Sequence, residues 1–220
     1  MTDSPLADLL SRKRLLIFDF DGTIVDSSPL HAQAFTEAFA AYGTRVDYAA
    51  IAGLVTADAV DKVASGARLI LDETQRSALI ADKKARARAL IASRLEPIAG
   101  SIAFLRRAAR SHKLALCTSG SRGTVDVALE RVGLADRFAP VVTADDVTRG
   151  KPHPEGFLTA LAAHGMDAEG ALIFEDAPSG LAAAAAAGIE AVHVVGPGQA
   201  EDPLQADWAM LGAALAEARP

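Results

Sequence analysis

Short apolar runs recur along this chain, one near its start and the rest in its second half, separated by longer stretches with helical spacing. Leu15-Leu16-Ile17-Phe18 comes first, followed by Leu114-Ala115-Leu116-Cys117, Pro140-Val141-Val142-Thr143, Ala171-Leu172-Ile173-Phe174 and Ala191-Val192-His193-Val194-Val195. Runs of this length, apolar throughout, predict strands covered on both faces. The stretches between the later runs predict helices over 101–111, 122–132, 154–164 and 178–187. The last three stop at Gly133, Gly165 and Gly188, the residue type that tolerates a left-handed cap. Strand and helix in alternation predict an α/β fold, a doubly wound parallel-sheet core of Rossmann-like type. After it, residues 197–220 predict a loop and a helix carrying Trp208, Leu211 and Leu215.

The segment between the first and second strands differs. Ser28-Pro29 suits a helix start, and Phe35, Ala38, Phe39 and Tyr42 share one helical face before Gly43. Asp47 to Gly66 predicts two short helices broken near Gly53. Asp72-x-x-Gln75 has the form of a capping box and opens a long helix to Leu95, which Glu96-Pro97-Ile98-Ala99-Gly100 ends. With no strand candidate among them, residues 29–95 form an inserted all-helical domain, and 1–28 with 96–220 form the α/β core.

Composition narrows the class. The chain has 220 residues, 50% hydrophobic and 23% charged, with a formal net charge of −6. That describes a globular protein of one large domain, or a domain with an insert. The acidic balance and the lack of a basic stripe argue against a nucleic-acid partner. No apolar run reaches the roughly 20 residues that span a bilayer, so no membrane partner is expected. Arg12-Lys13-Arg14 follows Leu9-Leu10, the wrong order for a secretion signal, and the one cysteine, Cys117, suits a reducing compartment. The expected location is cytoplasmic, as a monomer or homodimer.

Candidate chemistry collects after the strands, where open α/β sheets bind ligands. Asp19 and Asp21 follow the first run, Thr118-Ser119-Gly120 the second, and Glu175-Asp176 the fourth. Gly150-Lys151-Pro152-His153-Pro154 lies in a loop before a helix. Carboxylate oxygens suit Mg²⁺, and a phosphate dianion needs the cation, an ammonium and backbone N–H groups. Taken alone, Asp-x-Asp-Gly also occurs in ordinary turns and calcium loops.

In order and spacing these four segments resemble the motifs of the haloacid dehalogenase-like superfamily of phosphatases and phosphomutases. Asp19-Phe20-Asp21-Gly22-Thr23 matches its first motif, Thr118-Ser119-Gly120 its second, Lys151 its third and Glu175-Asp176 its fourth. The resemblance covers nearly the whole chain and includes a helical cap inserted after the first motif. It is nearest to sugar- and polyol-phosphate phosphatases of the β-phosphoglucomutase-like group, through Thr118-Ser119-Gly120-Ser121-Arg122, Gly150-Lys151-Pro152-His153-Pro154-Glu155 and Phe174-Glu175-Asp176-Ala177-Pro178-Ser179-Gly180.

The resemblance implies Mg²⁺-dependent hydrolysis of a small phosphorylated metabolite, a sugar, polyol or glycolate phosphate, through an aspartyl-phosphate. Asp19 is then the nucleophile and Asp21 the acid and base. Asp19, Asp176, Glu175 and the Asp21 carbonyl are the metal ligands, while Thr118, Ser119, Gly120 and Lys151 hold the phosphate. His31 either faces the site from the insert or lies on a helix surface, and Arg122 either touches substrate or is exposed. Lys83, Lys84 and Arg86 to Arg94 read as a solvated helix face, Cys117 as a packed strand residue, and His153 as a loop constraint.

Asp21 argues against dehalogenation, for which the family lacks an acid there. The alternative is a sugar phosphomutase of the β-phosphoglucomutase type. That enzyme binds a second phosphate with a cap arginine, absent from the corresponding Gly53-Leu54-Val55-Thr56-Ala57-Asp58. A non-catalytic binding protein on the same fold would be expected to lose a nucleophile, lysine or metal acid, and none is lost.

Overall fold

The computed structural model describes residues 4–218; positions 1–3 and 219–220 of the expected core lie outside the described residues. A short helix, α1 (Pro5–Arg12), leads into β1 (Leu15–Phe18). The remaining core elements are α5 (Ser101–Ala108), β2 (Lys113–Cys117), α6 (Arg122–Arg131), β3 (Val141–Val142), α7 (Glu155–His164), β4 (Ala171–Glu175), α8 (Pro178–Ala187), β5 (Ala191–Val194), β6 (Gln205–Ala206) and α9 (Trp208–Glu217). The strands form one parallel sheet in the order β3-β2-β1-β4-β5-β6.

Strand alternation explains the two layers. Leu16 and Phe18 of β1 join the cluster built by α1, α5, α6 and α9, while Leu15 and Ile17 face Phe157, Leu161, Ala183 and Ala184 of α7 and α8. A residue that must be apolar on either face gives the continuous run seen in the sequence. Phe18 stacks on Phe174 of β4, with ring centroids 4.7 Å apart, beneath the two acid-bearing strand ends.

Between β1 and α5 every helix or strand is helical: α2 (Ser28–Phe39), α3 (Thr56–Gly66) and α4 (Glu73–Arg94), with single 3₁₀ turns at Ala40–Tyr42 and Tyr48–Ala50. The predicted helix pair over 47–66 is therefore one 3₁₀ turn and one α-helix. Both halves of the predicted capping box form, Gln75 N–H to Asp72 and Asp72 N–H to Gln75. These helices share a cluster of their own, including Phe35, Phe39, Ile51, Val60 and Leu79. Their two connections to the sheet run side by side, with Val25 bridged to Pro97 and Asp26 N–H bonded to the Glu96 carbonyl at 3.0 Å.

Two elements have no counterpart in the predicted pattern: α1 and the edge strand β6. Gln205–Ala206 is too short to show a period. Among the described residues, no helix is long and apolar enough to cross a membrane.

Candidate active site

Parallel register brings the polar residues after β1, β2 and β4 together. Phe18 pairs with Leu116 on one side and Phe174 on the other, so Asp19, Cys117-Thr118 and Glu175 leave the sheet at one level. Buried Lys151 reaches this point from the loop before α7. Its Nζ lies 2.6 Å from Asp19 Oδ1 and 2.7 Å from Glu175 Oε2. The other Glu175 oxygen accepts the Ala177 N–H at 3.0 Å. Glycine makes this possible: a Cβ on Gly180 would collide with the Glu175 carboxylate, and one on Gly22 (φ +88°) with that of Asp176.

Asp19, Glu175 and Asp176 each offer an oxygen within 4.8 Å of the others. Burial raises the Asp19 carboxyl well above its usual range, and the Glu175 charge adds to this against the pull of Lys151. Burial likewise pushes Asp176 up to about 6, although Thr23 donates to it at 2.7 Å. Burial alone would release the Lys151 proton, but Asp19 and Glu175 hold it more tightly than in water. Three carboxylates around one ammonium leave an excess of negative charge in a site of hard oxygen donors. That donor set fits Mg²⁺.

Asp21 lives in different surroundings. Its carboxylate points away from the acidic cluster, accepting from Ser27 at 2.5 Å and lying 3.3 Å from His31 Nε2 and 3.4 Å from Thr118 Oγ1. Burial opposes its ionisation, yet His31 and Ser27 bring its pKa down to about 2. Thr118 also accepts the Gly120 N–H at 3.0 Å, which shapes the loop after β2. The Ser119 hydroxyl is turned elsewhere, donating to the Gly53 carbonyl of the insert at 2.8 Å.

Asp19, Asp21, Thr118, Ser119, Gly120, Lys151, Glu175 and His31 all line one cleft of about 520 Å³. Asp176 lies beside it, in the acidic cluster. His31 is buried and faces the site. Arg122 is not there: it bonds Asp146 and the Val141 carbonyl, fixing the β3 loop. Cys117 is buried, and His153 Nδ1 accepts the Glu155 N–H within its loop.

Lys83 overturns the expectation of a solvated face. It is 5% exposed, lies 3.1 Å from His31 Nδ1 and sits 4.3 Å from the centroid of the Phe35 ring. The signal was its place on α4: Leu79, Lys83, Ala87 and Ile91, the buried residues of that helix, recur every four positions. Burial lowers the Lys83 ammonium to about 8, against the attraction of Asp21. Tyr48, which sequence reasoning also missed, lines the cleft from a 3₁₀ turn, and burial raises its phenol. A short turn carries no period that would have marked it.

The family model for haloacid dehalogenase-like hydrolases matches residues 16–194. The validoxylamine A 7'-phosphate phosphatase of Streptomyces hygroscopicus subsp. limoneus is 32% identical over 88% of this chain and 91% of its own. The fructose-1-phosphate phosphatase of Escherichia coli (strain K12) is 31% identical over 81% of this chain and 95% of its own. Among solved structures, CbbY from Rhodobacter sphaeroides in complex with phosphate superposes with a TM-score of 0.79 at 25% identity, covering 93% of this chain and 99% of that one. From β1 through β5, then, the chain belongs to the haloacid dehalogenase-like hydrolases.

Proposed function

We propose that this protein is a Mg²⁺-dependent phosphatase of small phosphomonoesters, with sugar, polyol and glycolate phosphates as the candidate class. Residues 29–95 act as a cap domain over a core of 1–28 and 96–220. The observation that carries the reading is the division of labour within one turn. Asp19 is held by Lys151 among acids, while Asp21, two residues on, is held by Ser27 and His31 on the cap side. Two neighbouring carboxylates in unlike environments are what a nucleophile and an acid–base require. The phosphatase relatives support the substrate class.

Asp19, Glu175, Asp176 and the Asp21 carbonyl would hold the ion. A bound Mg²⁺ supplies positive charge that offsets the phosphoryl oxygens. Asp19 attacks phosphorus and becomes an aspartyl-phosphate, splitting one displacement into two. Lys151 keeps its proton and offsets charge on Asp19 and the transferring group, and Thr118 with backbone N–H groups near Ser119 and Gly120 completes the cradle. Asp21 is a carboxylate before substrate arrives. An adjacent phosphate dianion raises its proton affinity, so that Asp21 takes up a proton from solvent as substrate binds and then donates it to the leaving oxygen. As a base it next takes a proton from the attacking water. The cap excludes bulk water and faces the leaving group with Phe35, Tyr48, Ile51, Leu54, Thr56 and Lys83.

Gly53, Leu54 and Thr56 from the stretch expected to hold a mutase's arginine do line the cleft, and none of its described lining residues is an arginine. That supports hydrolysis over mutase chemistry. Phosphate release should be seen for at least one of fructose 1-phosphate, a polyol phosphate or phosphoglycolate, should need Mg²⁺, and should be lost in Asp19→Asn. Undiminished release by Asp19→Asn overturns the mechanism. Interconversion of β-glucose 1-phosphate and glucose 6-phosphate without phosphate release would identify a mutase.

A further inference from the structure

Trp208, the one tryptophan of the chain, opens α9 and is 3% exposed. Packing alone would account for its ring, which lies 5.2 Å from Phe104 and near-parallel to Phe18 and Phe174. Its one polar atom points to something more. Nε1 donates to the Thr23 carbonyl at 2.9 Å, and Thr23 is fully buried.

The hydrogen bonds of the turn show why this donor matters. Within residues 20–25 the Phe20 carbonyl accepts from Ile24 and Val25, and the Val25 carbonyl accepts from Gly22. The Ile24 carbonyl accepts from Ile98 N–H and Ser101 Oγ at the start of α5. For the Thr23 carbonyl, the donor among the described residues is the indole. On its other side Thr23 Oγ1 donates to Asp176 at 2.7 Å. Thr23 is thus tied to α9 at one end and to the acidic cluster at the other, two positions from Asp21.

The indole is itself firmly mounted. Asp207 caps α9 by accepting the Ala209 and Met210 N–H groups, each at 2.9 Å, and β6 joins the preceding residues to the sheet. Gly100, where the chain returns from the insert, approaches so closely that a Cβ there would lie 2.9 Å from Trp208 Cβ. Both connections of the insert therefore meet this one residue.

We propose that Trp208 is a positioning residue for Asp21: its N–H fixes the Thr23 carbonyl and so the turn on which that carboxylate is mounted. This rests on the reading of Asp21 as acid and base. Removing the donor leaves a buried carbonyl unpaired and lets the turn relax, while Asp19, on the β1 side, keeps its lysine.

The test exploits the leaving group. A sugar alkoxide must be protonated as it departs, whereas p-nitrophenolate departs without help. In Trp208→Phe, kcat/KM for the best sugar phosphate should fall about tenfold. For p-nitrophenyl phosphate, with both substrates measured at saturating Mg²⁺ because the Asp21 carbonyl lies on the same turn, it should fall less than about twofold. Equal losses on both substrates, or no loss on either, overturn the proposal. Benzothienylalanine at position 208 keeps the bicyclic shape and replaces N–H by sulfur, so it carries the same test should the phenylalanine variant not fold. Asp19→Asn is measured alongside. Its undiminished turnover would overturn the reading of the site and this inference with it, whereas its loss beside an unaffected Trp208→Phe overturns only the inference.

Discussion

The two halves of the cleft are built on opposite principles. On the core side, Asp19, Lys151 and Glu175 are packed at 2.6 and 2.7 Å, each below a tenth exposed, with Gly180 leaving room for the Glu175 carboxylate. On the cap side, one ammonium and a few hydroxyls are set among Phe35, Ile51 and Leu54. The core half leaves almost no freedom to any group, which suits a fixed reaction. The cap half offers apolar surface with few directional contacts, which suits recognition of one leaving group among many.

Lys151→Met should show the larger effect. It strips the shared ammonium from Asp19 and Glu175 and leaves two buried carboxylates without their partner. Turnover should drop by about 10³-fold or more. The folded state should lose on the order of 3 kcal/mol unless a cation takes up the charge. Phosphate release and thermal unfolding, with and without Mg²⁺, measure both. Stability rescued by Mg²⁺ without rescue of turnover would separate the structural role of the lysine from its chemical one.

Lys83→Met probes the cap half. The variant keeps the stem over Phe35 and removes a buried charge, so the thermal midpoint should stay within about 3 °C. kcat/KM should fall about tenfold for a sugar phosphate. The wild-type ammonium titrates near 8, and its charge is present below that pH and lost above it. Substrate binding should therefore weaken as pH rises through about 8 in the wild type and stay flat in the variant. A loss as large as that of Lys151→Met would break the distinction between the halves.

Cys117 marks the boundary of the reacting set. It directly precedes Thr118, yet burial pushes its thiol up to about 12 against the pull of Lys151. At pH 8 it is protonated, so iodoacetamide should leave the native protein unmodified and label it on unfolding. Cys117→Ser should keep turnover within about twofold, the smallest effect of the series.

Legibility in the sequence followed the same division. The core half could be read because Asp19, Thr118 and Glu175 each end or follow an apolar run, and parallel register places run ends side by side. Lys151, in a loop before α7, stood out only through the family resemblance. The cap half resisted. Lys83 looked like one more cation on a charged helix, although Leu79, Ala87 and Ile91 mark its face as buried. Tyr48 sits in a single turn, and β6 is two residues long. The Ser119 hydroxyl meets the Gly53 carbonyl, a contact separate from the part proposed for its backbone in the phosphate cradle. That partner is more than 60 positions away, and no local pattern announces such a contact.

The Ser119–Gly53 contact joins a core side chain to a cap main-chain oxygen, and every residue type presents the same oxygen. Val55 against Gly150 and Gly53 against Ser179 are close approaches made possible by glycine. At the rim of the cleft the insert thus meets the sheet domain through glycine and main chain, while farther back Leu30 and Ile91 join the main apolar cluster. On the proposed phosphatase reading, the choice of leaving group falls to the side chains of the insert. Phe35 and Ile51 also hold the insert's own cluster together, so on the proposed reading Leu54 and Thr56 are the positions to exchange for a different alcohol. A library confined to those positions can retune selectivity on an unaltered engine.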